Sequence, residues 1–153
     1  MSIAVCSPIA EVAAWDWQTV EGFENRREDI LVVTRLDLPG VTAAAASARL
    51  ASHRTTVTRD DVAKSVDAAV AAVGIDLPAF AADAVQLTES FLAQFALSEA
   101  SLRIEVVDTQ SCPKFHCDNV NVRMVTTYVG PTTEYVFTDR PRDIHAAPNF
   151  GLV

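Results

Sequence analysis

Leu102-Arg-Ile-Glu-Val-Val107, Val120-Asn-Val-Arg-Met-Val-Thr-Thr-Tyr-Val129 and Thr133-Glu-Tyr-Val-Phe-Thr138 carry the β character of the second half of the chain. The first alternates apolar and polar residues with the period of a half-buried strand. The other two are rich in β-branched and aromatic residues, which suit a pleated surface. Gly130-Pro-Thr132 lies between them and reads as a turn, so a β-hairpin is expected over 120–138.

The preceding hundred residues read mainly as helix. Ile30-Leu-Val-Val-Thr-Arg-Leu36 is a buried-strand pattern stopped by Pro39-Gly40, and Val41 to Ala51 is alanine-rich and reads as a short helix. His53, in Ser52-His-Arg-Thr55, is then a solvated residue of an interhelical linker. Thr58-Arg-Asp-Asp61 forms a capping pattern with acid at the positive end of the helix dipole. Val62, Val66, Ala69, Val70 and Val73 follow at spacings of three and four, and Gly74 ends that helix. Pro78 opens another, with Phe80, Ala84, Leu87, Phe91 and Phe95 on one stripe and Val85 and Leu92 beside it. That stripe is read as a core face, with no functional role.

Helices followed by strands give an α+β domain. With no repeat or linker, 1–153 is expected to be a single domain, helix-rich over 1–100, strand-rich over 101–138 and irregular over 139–153. Two or three strands leave open edges, so pairing with a second copy through an exposed sheet edge, or low stability, is anticipated.

The chain has 153 residues, 50% of them hydrophobic and 21% charged, with a formal net charge of −8. This composition can bury a core. Its acidity disfavours nucleic acid and anionic membrane surfaces as partners. Asp76, Asp83 and Glu89 interrupt the alanine-rich middle, leaving no apolar run long enough for a membrane span. Met1-Ser-Ile-Ala-Val-Cys6 lacks a basic lead-in, and the three cysteines, an odd number, do not make a disulfide framework. A cytoplasmic location follows as the expectation.

The chemistry concentrates in Cys112-Pro-Lys-Phe-His116-Cys-Asp118. On an extended backbone, His116 and Asp118 share a face, so both can bind one metal ion. They supply two legs of the 2-His-1-carboxylate triad of non-haem iron(II) oxygenases, and His145 is the one downstream histidine that could supply the third. Cys112 can join that face and favour zinc, since thiolate and imidazole both suit Zn²⁺, whereas Cys117 points away as a small buried hydrophobe. The competing reading has His116 and Asp118 pairing with each other or with backbone. A Cys112 nucleophile with His116 as base ranks lower, because nothing local supplies a third group. Arg123 is either an oxyanion-binding group in a cavity or an ion-pair partner of Glu134 across the hairpin. Tyr128, with Thr126 and Thr127, lines the same cavity or simply forms strand.

The stretch from Cys112 to Tyr135 resembles the signature of a bacterial family, domain of unknown function 1826. Cys112, Phe115, His116, Asp118, Arg123, Thr127, Tyr128, Gly130, Thr133 and Glu134 fit its pattern. Asp139-Arg140 fits the step after the hairpin, and Trp15 and Val33-Thr-Arg35 match more loosely. Thr132 and Tyr135 stand where the family has Gly and Trp. Members continue through further strands bearing another His, so a C-terminally truncated copy is expected. The resemblance implies a cupin-like, double-stranded β-helix sheet packed on the helical half. It also implies a link to bacterial zinc homeostasis. The combined expectation is a divalent-metal protein, iron(II) or zinc, with His116, Asp118 and Cys112 as ligands and Arg123 and Tyr128 toward a small-molecule cosubstrate. It is either oxygenase-like or a non-catalytic zinc binder.

Overall fold

The computed structural model describes residues 2–5, 9–12, 30–109 and 120–137. In chain order the elements are β1 (Ser2–Val5), β2 (Ile9–Val12), β3 (Ile30–Val33), α1 (Val41–Ser47), β4 (Ala51–Thr58), α2 (Val62–Val73), α3 (Pro78–Gln94), β5 (Glu99–Val106) and β6 (Glu134–Phe137). Mixed helices and strands make the class α+β.

Residues 51–106 form a β-α-α-β unit. β4 and β5 pair antiparallel in a register from Ala51 opposite Val106 to Thr58 opposite Glu99. Alternation decides the two faces: Val57, Ile104 and Val106 are buried, whereas Ser52, Arg54, Thr56, Ser101 and Arg103 are exposed. α2 lies against both strands and α3 against α2. Val57, Val66, Ala69 and Val73 are completely buried where sheet meets helix, and Leu92 nearly so. This matches the expected apolar face of α2 and its stop at Gly74, which is left-handed with φ 74°. In α3, Phe80, Ala84 and Leu87 are buried as expected, but Leu92 and Thr88 complete the face. Phe91 and Phe95 are half-buried and tilt against each other at 5.1 Å. Thr88 is tolerated inside because its hydroxyl donates to the Ala84 carbonyl, 2.7 Å away.

The helix ends are closed by local chemistry. The Thr58 amide donates to Asp61 Oδ1 at 2.7 Å, one half of the anticipated capping box, although regular helix begins at Val62. That hydrogen bond leads the effects holding the Asp61 carboxyl below its ordinary range. The C-terminus of α3 is a Schellman turn in which Leu97 N–H reaches Leu92 O and Ala96 N–H reaches Ala93 O, with Ala96 at φ 50°. Arg59 seals it, donating from Nε to Leu97 O at 2.7 Å and from Nη2 to Leu92 O at 3.1 Å.

Three sequence expectations are corrected. Residues 51–58 are a strand, so His53 belongs to no interhelical linker; it is half-buried on the core-facing side of β4, opposite Ile104. The competing signal was the β-branched run Thr55-Thr-Val-Thr58, overshadowed by the alanines before it. Residues 122–128 have no regular secondary structure, and β6 pairs in parallel with β1, from Ser2 opposite Glu134 to Val5 opposite Phe137. Among the described residues the expected hairpin is therefore absent. Over 121–126 exposure still alternates, because side-chain alternation sets facing but does not choose a pairing partner. Finally, strands precede the helices as well as follow them, and β2 pairs in parallel with β3. The strands described pair in three two-stranded pieces, β1 with β6, β2 with β3 and β4 with β5.

Candidate functional site

Asp83 breaks the apolar character of α3, three residues beyond buried Phe80 and next to buried Ala84. That position aims a carboxylate along the edge of the core face, where an unpaired charge is costly. Two residues distant in sequence compensate it. Arg35, just after β3, ion-pairs through Nη2 with Asp83 Oδ1. Tyr128 donates its hydroxyl to Asp83 Oδ2 at 2.5 Å.

The phenol ring is fixed independently. It tilts 60° against Phe80 with centroids 4.7 Å apart, and Arg35 Cζ stands 5.9 Å from its centroid. Burial, then the Asp83 hydrogen bond and charge, push the Tyr128 phenol well above its ordinary pKa, against the opposing pull of Arg35. Burial disfavours the Arg35 cation. The hydrogen bonds to Asp83 and Tyr128, with their charges, outweigh it and raise its pKa. The cluster joins the β3 exit, α3 and segment 120–133, and both pKa shifts favour the protonated cation and phenol.

Tyr128 is thus engaged through its hydroxyl with Asp83, while Arg123, five residues before it, is exposed. Tyr128 stands out in the sequence and Arg35 falls in a strand pattern, but Asp83 reads there merely as an interruption of apolar sequence. The available signal was spacing: an acid at i+3 from Phe80 on a core-facing helix calls for a cation. Cys112, His116, Cys117, Asp118 and His145 lie outside the described residues. Among the described residues, no group of three or more His, Cys, Asp or Glu side chains converges as a metal centre. Nor, among them, is any helix long and apolar enough to cross a membrane.

A second polar pair lies on the outer face of β5, where Arg103 Nη2 meets Glu105 Oε2 and Arg103 Nε donates to Ser52 Oγ at 2.9 Å. It tightens the β4–β5 pairing.

No curated protein and no solved structure matches the chain. A family model described as "Protein of unknown function (DUF1826)" matches residues 4–149, nearly the whole length and with it the Cys112–Tyr135 stretch and the three members of the Arg35–Asp83–Tyr128 cluster. The chain belongs to the DUF1826 family.

Proposed function

We propose that the protein binds a divalent metal ion through His116 and Asp118, with Cys112 as third ligand. The observation that carries this reading is the sequence Cys112-x3-His116-x-Asp118, which sets thiolate, imidazole and carboxylate at alternating or near-alternating positions. Those donors suit zinc, and the His-carboxylate part suits iron(II). The ion is held by a cupin-like sheet, as the resemblance over 112–135 suggests. Arg123, exposed on the segment that follows, is the anchor for a carboxylate-bearing cosubstrate, and Tyr128 shapes the wall beside it. The protein acts in the cytoplasm on a small molecule or on the metal itself, without nucleic acid or membrane, and a second copy pairs at an exposed strand edge.

Two reactions share this site. With iron(II), a coordination position left open by the protein would support oxygenase-like chemistry. With zinc and direct Cys112 ligation, the protein is a non-catalytic binder in metal homeostasis. Metal titration followed by turnover with 2-oxoglutarate separates them. Iron-dependent consumption of 2-oxoglutarate supports the oxygenase, and tight zinc binding without turnover supports the binder. A chain that takes up neither metal refutes both.

A further inference from the structure

An open cleft runs along the outer side of the α2–α3 pair and is closed at one end by the loop joining them. Its floor is apolar, formed by Val70, Ile75, Leu77, Ala81 and Val85. Its ionisable lining residues are Asp67 on α2, Asp76 in the loop and Glu89 on α3, all exposed and all acidic.

These carboxylates differ from the paired and capping acids of the fold. Asp83 is paired with Arg35, Glu105 with Arg103, and Asp61 caps a helix start. Asp67, Asp76 and Glu89 take part in none of those contacts. A nearby cation, Arg49 before β4, packs beside Gly74 and is not part of the cleft lining. An apolar floor bordered by negative charge, with no cation lining it among the described residues, in a chain of net charge −8, complements an apolar segment flanked by bases. The α3 wall from Pro78 to Glu89 spans eleven residue steps, about 16 Å at 1.5 Å per residue, which accommodates roughly three turns of a second helix.

We propose that the α2–α3 cleft docks a basic amphipathic helix of a partner protein, its apolar stripe on the Val70–Val85 floor and its Lys or Arg side chains on Asp67, Asp76 and Glu89. This is the helix-in-groove mode of recognition. It is independent of metal binding.

The test uses the full chain and a labelled synthetic helix of about 15 residues, with Leu on one face and Lys on its flanks, followed by fluorescence anisotropy. A matched peptide with Glu in place of Lys serves as control. The Lys peptide is expected to bind, to weaken on raising salt, and to bind about tenfold more weakly to the combined D67N/D76N/E89Q variant, as three exposed ion pairs would give. Ala82→Trp, which fills the cleft from an exposed position without changing charge, is expected to abolish binding, whereas E99Q and D60N leave it unchanged. Circular dichroism of each variant confirms that the helices persist. No binding of the Lys peptide, equal binding of the Glu peptide, an unaffected A82W, or equal weakening by E99Q and D60N would each overturn the proposal.

Discussion

Replacing Asp83 by Ala tests whether the Arg35–Asp83–Tyr128 cluster holds segment 120–133 against the helices. The carboxylate accepts from Arg35 on one oxygen and from Tyr128 on the other, and the Arg35 and Asp83 side chains are 23% and 17% exposed. Each hydrogen bond to a charged group contributes about 1.5–3 kcal/mol when well buried. Partial exposure and solvent screening lower the pair to a combined loss of about 2–4 kcal/mol. Tyr128→Phe removes one bond, leaves the ion pair in place and costs about 1 kcal/mol. If the two act as a unit, the double variant loses less than the sum of the single losses, with an interaction energy above about 0.5 kcal/mol. For a chain of this size, D83A lowers Tm by roughly 5–15 °C. Urea unfolding of wild type, D83A, Y128F and D83A/Y128F measures all four corners. Strictly additive losses, or a D83A loss below about 0.5 kcal/mol, would refute the cluster as the joint between these segments.

Several other consequences are open to measurement. Because burial and Asp83 raise the Tyr128 pKa in the folded state, its contribution is complete below the unfolded tyrosine value of about 10 and is lost as pH rises beyond it. Wild type should therefore lose stability between pH 9.5 and 11.5 (about 10 marking the onset) more steeply than Y128F; equal slopes in urea melts would count against the assignment. Ala96→Gly is expected to stabilise by about 0.5–1 kcal/mol, since Ala96 occupies a left-handed position at φ 50° at the end of α3. A Tm that falls instead would contradict the Schellman assignment. Gly74→Ala is expected to destabilise by about 1–2 kcal/mol, because φ is 74° and the added methyl would stand 3.2 Å from Arg49 Nε. Leu92→Ala, at a nearly fully buried site, should cost about 2–5 kcal/mol by chemical denaturation.

The parts of the fold legible in the sequence were those where period and boundary residues agreed. α2 had valines at helical spacing, a capping pattern before them and Gly74 after them. α3 had Pro78 at its start and a stripe leading inward from Phe80. β5 declared itself by the alternation of Leu102, Ile104 and Val106, all facing the helices. β4 did not, because Thr55-Thr-Val-Thr58 carries its β signal in four residues after an alanine run that favours helix. Pairing was the least legible property. The exposures over 121–126 alternate as the sequence implied, yet β6 joins β1 from the other end of the chain, a contact with no local signature. The Arg35–Asp83–Tyr128 cluster was half visible for the same reason. Its members are separated by 48 and 45 positions, and the helix geometry that aims Asp83 is a tertiary fact.

Metal content of the purified chain, set beside that of His116→Ala prepared identically without chelator, tests the central proposal most directly. The account predicts about one equivalent of zinc or iron in wild type, and its loss in the variant, with the helical circular-dichroism signal unchanged. Equal metal in both proteins, or none in wild type after reconstitution with either ion, would contradict it.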